Sequence, residues 1–400
     1  MRTLRFFILS FLICWISASL AADDMPIIAY WGVPEDYSSE AHFQTFKDCG
    51  FTVSLYPYSS LTKLKEACKI AEKKGISIIG NCPEQTSAPQ VTAKSLKEEK
   101  AFYGYLLQDE PDMLQIKHQQ QIIERLKTID SQHIFYLNLY PLYNADWIPS
   151  STKAKDYPDY VKTAARTDCQ QISFDHYPIT TNGVRKTWYQ NLEMIRQESL
   201  SSGKPFWGFA LSIAHNVPYT PNTYYPIATL ASLRLQIYTN LAYGAQAIQY
   251  FTYWHPGEND MLKFHDAPIS RDGKKTKTYY VVQKMNQELK PVAHLFYGSK
   301  VTAVHHLGGT IPEGGSRLSE MPKNLSLLKV VGRQGGTISQ FTKNGHQYLA
   351  IVNKSPKAKL TIRLKTRNQT PLCITKKLQA VKIKNSYTVQ PGDILIFRLA

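Results

Sequence analysis

Phe102-Tyr-Gly-Tyr-Leu-Leu-Gln-Asp-Glu-Pro-Asp112 is an apolar run that stops at two adjacent carboxylates. Its length, its Tyr and Leu content and the Pro just beyond it predict a strand buried on both faces and ended by Pro111. Asp109 and Glu110 then stand at its carboxyl end. In a parallel α/β protein that end opens onto the ligand cleft, so acids placed there are candidates for chemistry rather than packing.

The segments on either side repeat one unit. Strands are expected over residues 27–33, 51–57 and 76–82 before this one, and over 133–139, 171–176, 205–211 and 247–254 after it. Helical spacing of apolar residues falls between them, over 38–48, 60–74, 93–100, 113–129, 156–166, 188–200, 226–243 and 278–289. Gly75, Gly203 and Gly244 sit where helices should stop. Eight alternations over roughly 265 residues have the pattern and size of a (β/α)8 TIM barrel.

From Lys300 the pattern changes to short β-type runs over 301–305, 347–352, 360–364 and 394–399, separated by Gly-Gly, Asn-Gly and Pro-Gly turns. That predicts a small antiparallel, sandwich-like β-domain. Residues 1–21 read as a secretory signal peptide: a short basic start, an apolar core too short to span a membrane, and small residues at the cleavage position. The expected organisation is therefore a signal over 1–21, a barrel over 22–298 and a basic β-domain over 299–400. Export to the periplasm or beyond follows, with no membrane span.

The formal charge of +16 is unevenly spread. Residues 22–299 carry 28 Lys and Arg against 28 Asp and Glu, whereas residues 300–400 carry 17 against 3. The β-domain thus offers contact with an anionic polymer or surface, or else a solvated β-surface whose lysines discourage edge pairing. A nucleic-acid partner is not expected, because the barrel is balanced. Five cysteines follow the signal, Cys49, Cys68, Cys82, Cys169 and Cys373, with no CxxC and no His pair at ligand spacing, so neither metal nor cofactor is expected. Their odd number leaves at least one unpaired within the chain, and several read as small buried hydrophobes.

Alternation along each strand separates the barrel interior from the helix-facing side. On strand four it points Gly104, Leu106, Gln108 and Glu110 inward. On strand six it leaves Ser173, Asp175 and Tyr177 inward, with His176 outward but near the mouth. Strand five offers Tyr136, Asn138 and Tyr140, and strand eight Tyr250, Thr252 and Trp254. Trp31 and Trp207 fall on the helix-facing side. Carboxylates, an amide, phenols and a Trp platform suit a sugar, whose ring face stacks on aromatics while its hydroxyls need fixed partners. Asp109, Asn138, Tyr140, His176, Tyr177, Tyr250, Trp254 and Glu258 are the candidate substrate contacts. His215, Asn216, His265 and Asp266 lie on loops at the same face.

With these residues the chain resembles the glycoside hydrolases of clan A, in particular the β-galactosidases of family 42 and related exo-acting enzymes. The resemblance rests on the barrel, the acidic pair after strand four, the aromatic-Trp ending of strand eight and the C-terminal β-domain. It implies that Glu110 is the acid/base, with Asp109 where the clan has Asn. The clan's second Glu, the nucleophile after strand seven, has no counterpart in Phe206-Trp-Gly-Phe-Ala-Leu-Ser212.

Glycoside hydrolysis ordinarily needs two carboxylates, one to protonate the leaving oxygen and one to attack or to activate water. Asp175, two strands round from Glu110, is the candidate partner, with Glu258, Asp260 and Glu35 as alternatives. The expectation is a carbohydrate-cleaving enzyme, exo-acting on the strength of its long loops. A barrel that binds glycan without cleaving it is the alternative.

Overall fold

The computed structural model describes residues 24–147, 155–218, 220–257, 261–367 and 371–399. The expected signal, Glu258 and Asp260 lie outside the described residues. Eight parallel strands close into a barrel: β1 (Ile27–Tyr30), β2 (Val53–Pro57), β3 (Ser77–Asn81), β4 (Phe102–Asp109), β5 (Ile134–Leu139), β6 (Ile172–Phe174), β7 (Phe206–Leu211) and β8 (Ala247–Phe251). They pair in sequence order, and β1 closes on β8. This is the expected TIM barrel.

The helices between them are α1 (Glu40–Asp48), α2 (Leu61–Glu72), α3 (Pro89–Leu96), α4 (Met113–Lys127), α5 (Tyr157–Ala165), α6 (Thr187–Ser202), α7 (Leu230–Tyr243) and α8 (Lys277–Phe296). Local sequence fixes their ends. Ser39, Ser60 and Thr276 each accept a backbone N–H at a helix start, and Asp112 with Gln115 closes a full capping box on α4. Gly203 and Gly244 end α6 and α7 in the left-handed conformation.

The chain then forms two antiparallel sheets. In sequence their strands are β9 (Lys300–Leu307), β10 (Leu325–Val331), β11 (Gly336–Lys343), β12 (His346–Asn353), β13 (Leu360–Thr366), β14 (Leu372–Ile374), β15 (Ala380–Lys382), β16 (Ser386–Val389) and β17 (Ile394–Leu399). One sheet runs β9-β11-β12-β17-β14-β15 and the other β10-β13-β16. Leu328, Ile338, Ile351, Ile362 and Phe397 fill the layer between them, which makes a sandwich. The outer face of the larger sheet, through Phe341, Tyr348, Ala350 and Ile396, joins the barrel's own core.

This docking explains α7. A helix on a bare TIM barrel should be polar on its outer side, yet α7 is buried nearly all round, from Leu233 to Tyr243. It is covered by β7 beneath and by the sandwich above. The two layers approach closely: a Cβ on Gly208 of β7 would lie 2.3 Å from Asn240 Oδ1, and one on Gly392 would lie 2.3 Å from the Ala231 carbonyl.

All five described cysteines are buried and unpaired. Burial pushes the Cys169 thiol up to about 11 and the Cys82 thiol to about 12. They behave as small apolar side chains.

Candidate active site

Strict alternation fails on β4, and its failure builds the site. A register shift against β5 falls between Leu106 and Gln108. Leu106 fills the barrel interior, while Leu107 packs under the helices and Gln108 accepts a 2.9 Å bond from Gln119 of α4. Two successive outward residues are a β-bulge, which resets the parity. Asp109, not Gln108, therefore faces inward beside Asn138. Glu110 follows with φ +45°, a left-handed conformation that costs a non-glycine residue strain. That turn brings its carboxylate into the same cavity as Asp109, where Asn144 donates to it at 3.2 Å.

The cavity at the carboxyl ends of the strands holds about 210 Å³. Asp109, Glu110, Asn138, Asp175 and Tyr177 all line it. Asn138 is buried, and its Nδ2 donates to Asp109 Oδ1 at 3.0 Å and to Asp175 Oδ1 at 3.2 Å. The two aspartates are thus held within the sum of those distances. Below them Ser173 donates to Asn138 Oδ1 at 2.9 Å, Gln249 donates to Ser173 at 2.8 Å, and Tyr136 donates to Gln249 at 2.7 Å. The polar chain fills the barrel axis and terminates on the carboxylates.

Among the described residues no Lys or Arg pairs with any of the three acids. Burial raises the pKa of each, because charge is disfavoured where protein replaces water. Asp109 remains exposed to the mouth, so water reaches it although its flanks are walled by protein. The negative charge of Asp109 adds to the effect at Glu110, which is pushed up to about 7. At Asp175 burial comes first, then the charges of Glu110 and Asp109. Hydrogen bonds oppose the rise unequally. Asn138 and Tyr30 serve Asp109, Tyr177 and Asn138 serve Asp175, and Asn144 alone serves Glu110. The donors moderate the rise without reversing it: all three carboxyls stay raised, Asp175 well above its ordinary value, so the cluster holds on to protons that free carboxylates would have lost.

Aromatic rings make the remaining wall. Tyr177 lies 5.7 Å from Phe251 and 6.0 Å from Tyr225, and His215 sits between Tyr225 and Phe264 at 4.6 and 5.0 Å. Burial lowers His215 to about 4, so its ring is neutral at pH 7. Asn216, on the same loop, does not line the cavity but holds the segment after β8, donating to the Met261 carbonyl and accepting from the Lys263 amide.

Several expected contacts lie elsewhere. Tyr140 follows the end of β5 and stacks on Tyr160 of α5 at 3.8 Å. Tyr250 faces the helices, packs edge-on against Phe51 and donates to Asn286 at 2.7 Å. The parity of β8 is the reverse of the expected one: Gln249 and Phe251 point inward, because the helix layer here supplies a polar partner for a phenol. Trp254 is buried against Tyr37 and His42 at 4.5 and 5.4 Å and forms no part of the cavity. His176 is buried beside Thr187 and edge-on to Tyr143. Trp207, expected under the helices, lies inside the barrel 6.0 Å from Tyr136, and Trp31 leans on Tyr56 at the rim. Glu35 accepts from the Ser59 amide, and His265 pairs with Asp266 in the open, all outside the cavity. Tyr30, Tyr143, Asn144, Phe209, Tyr225, Phe251 and Phe264 were not anticipated. Tyr143, Asn144, Tyr225 and Phe264 stand in long, aromatic segments after strands five, seven and eight, which was the available signal, whereas Tyr30, Phe209 and Phe251 belong to β1, β7 and β8 themselves.

Residues 116–292 match the profile of the glycoside hydrolase family 42, described as Beta-galactosidase. Among solved structures the chain is similar to the β-galactosidase from Bacillus circulans sp. alkalophilus, at 10% identity and a TM-score of 0.63, covering 94% of this chain and 99% of that one. It is similar to a catalytic mutant of a family 42 β-galactosidase from G. stearothermophilus, at 9% identity and TM-score 0.63, over 95% and 98% of the two chains. Against the β-galactosidase from the psychrophilic Marinomonas ef1 the values are 10% and 0.51, over 67% of this chain and 60% of that longer one. A comparison with curated proteins finds no match. The structural likenesses establish the shared fold. The family match supports a glycoside hydrolase, in keeping with the resemblance read from the end of strand four.

Proposed function

Starting from a barrel that carries the signature of glycoside hydrolase family 42, we propose that this chain is an exported, exo-acting glycosidase in which Glu110 is the general acid and Asp175 the second carboxylate. The observation that supports it best is the cavity's unequal set of acids. Burial raises all three carboxyls, Glu110 to about 7, so the cluster retains protons at neutral pH, and Glu110, with one hydrogen-bond donor against two for each aspartate, is the acid placed to give a proton away. An acid that can give a proton beside a carboxylate that can attack or orient water is the minimum for cleaving a glycosidic bond.

Glu110 protonates the leaving oxygen as the bond to the anomeric carbon breaks. Asp175, deep between Tyr177 and Asn138, faces the positive charge that develops on the ring. Asp109, open to the mouth, binds a hydroxyl of the same sugar. A cavity of about 210 Å³ is smaller than the roughly 300–1,000 Å³ usual for ligand sites, which suits one terminal sugar rather than a chain. Because the matched family is described as Beta-galactosidase, terminal galactosides are the first substrates to test. Residues 1–21 carry the export.

Hydrolysis of an aryl-glycoside panel by wild type, Glu110→Gln and Asp175→Asn, with binding followed in parallel, tests this reading. Loss of turnover in both variants with binding retained supports it. Loss in Glu110→Gln alone transfers the partner role to Glu258 or Asp260, or to Asp109, which lines the same cavity. Binding without turnover by the wild type would favour the non-catalytic reading, to which the carboxylate-free end of β7 lends weight.

A further inference from the structure

A second cavity, of about 430 Å³, lies between the barrel and the sandwich. Arg185 and Lys186 enter it from the loop before α6, and Lys354 from the end of β12. Its single acidic residue, Glu313, points into solvent. Elsewhere in the same interface cations are neutralised: Arg234 and Lys376 meet Glu288 and Asp393 at 2.6–3.8 Å. Here they are not. Among the described residues no carboxylate lies within ion-pair distance of Arg185, Lys186 or Lys354.

Among the described residues, Arg185 and Lys354 have only neutral partners. Arg185 donates to the Tyr225 hydroxyl at 2.9 Å and lies over the Tyr143 ring at 4.3 Å. Lys354 donates to the Thr310 carbonyl at 2.8 Å, one bond of the three an ammonium can make. Burial, reinforced by the nearby charge of Arg317, lowers Lys354 to about 8, so a closer anion would relieve it. Lys186 caps α6 without a side-chain bond, which leaves the positive end of a sixteen-residue helix at the same cavity.

We infer that this interdomain cavity is an oxyanion site that takes sulfate, free or carried on a glycan. The inference stands apart from the catalytic reading, since it concerns a different cavity. It gives part of the β-domain's positive excess a place to act. Arg185 stands between the two cavities, because Tyr143 and Tyr225, its partners, line the catalytic one.

Calorimetric titration of the whole protein with sodium sulfate, a sulfated galacto-oligosaccharide and its unsulfated counterpart tests the site. Wild type should bind sulfate, and a Lys186→Met, Lys354→Met double variant should bind it at least about tenfold more weakly. Hydrolysis of neutral glycosides and the melting temperature should be unchanged. The single variant Lys186→Met, at an exposed position, keeps the test valid should the double variant fold poorly. Tighter binding of the sulfated oligosaccharide than of free sulfate identifies a glycan as the source, and equal binding identifies the free ion. No sulfate binding by the wild type, or equal binding by wild type and variants, would overturn the inference whatever the protein hydrolyses.

Discussion

Ser173 Oγ donates to Asn138 Oδ1 at 2.9 Å, and that bond decides which way the Asn138 amide faces. With its oxygen committed downward, both of its N–H groups must point to Asp109 and Asp175. Ser173→Ala removes the donor and leaves a buried carbonyl oxygen unpaired, at a cost of about 1–3 kcal/mol. The amide then donates less firmly, so the charged aspartates lose support and their pKa values rise. A base that must be ionised to work then fails at a higher pH. The acidic limb of the pH–rate profile should move upward in Ser173→Ala, and chemical denaturation should show the loss of stability.

Glu110→Gln should abolish turnover yet stabilise the fold at alkaline pH. The Glu110 carboxyl is raised from an ordinary 4.5 to about 7 by burial and by Asp109. Between those values the native state holds a proton that the unfolded chain has released. The stability this contributes is complete below about pH 4.5 and gone once the pH passes about 7. Gln carries no such penalty. At pH 8 the variant should exceed wild type by on the order of 1–3 kcal/mol, with the gap closing toward pH 5. Denaturant titrations at the two pH values measure it, and an equal gap at both would contradict the raised pKa.

The barrel was legible in the sequence because each unit carried its own signals: continuous apolar strands such as 102–109, caps such as Asp112, and stops such as Gly244. The site was legible only in part. Asp175, Asn138 and Tyr177 followed from alternation on strands five and six. Asp109 and Glu110 reached the mouth by a bulge and a left-handed turn, neither of which leaves a mark in residue type. Tyr250 and Trp254 were misplaced because aromatic side chains read alike whether they face a sugar or a helix layer. Only Asn286 and Tyr37, distant in sequence, decide the matter. Tyr225 and Phe264 stand on loops, where no periodicity points inward.

Trp254→Phe and Phe264→Ala should therefore divide stability from function. Trp254 is buried between Tyr37 and His42, so its replacement should lower stability by about 1–3 kcal/mol and leave KM as it is. Phe264 lines the cavity beside His215 and Phe251, and its truncation should raise KM for a terminal sugar several-fold. Steady-state kinetics and melting of the two variants separate the outcomes. A raised KM in Trp254→Phe would restore it as a sugar platform.

Lys376→Met tests whether barrel and sandwich unfold as one. Lys376, from the sandwich, donates to Glu288 of α8 at 2.9 Å and pairs with Asp393 at 2.6 Å, while Arg234 of α7 grips Glu288 through two bonds of 2.9 and 2.7 Å. The four side chains are mostly buried, with exposures of 13–29%. Removing the lysine leaves Arg234 as the one cation for two acids in a partly desolvated seam. Such a loss should cost about 1–3 kcal/mol, less than for a fully buried pair because water reaches the edge. α7 is apolar on the side the sandwich covers, so parting the domains would expose Leu235, Tyr238 and Ala242 to water. That penalty should keep the transition single, with the midpoint lowered and its steepness unchanged. Guanidinium unfolding followed by tryptophan fluorescence and by far-ultraviolet circular dichroism reads both quantities. Of the six tryptophans Trp15 falls in the expected signal and the other five within 22–298, so fluorescence of the exported chain reports the barrel alone, and coincident curves from the two probes are the expected result.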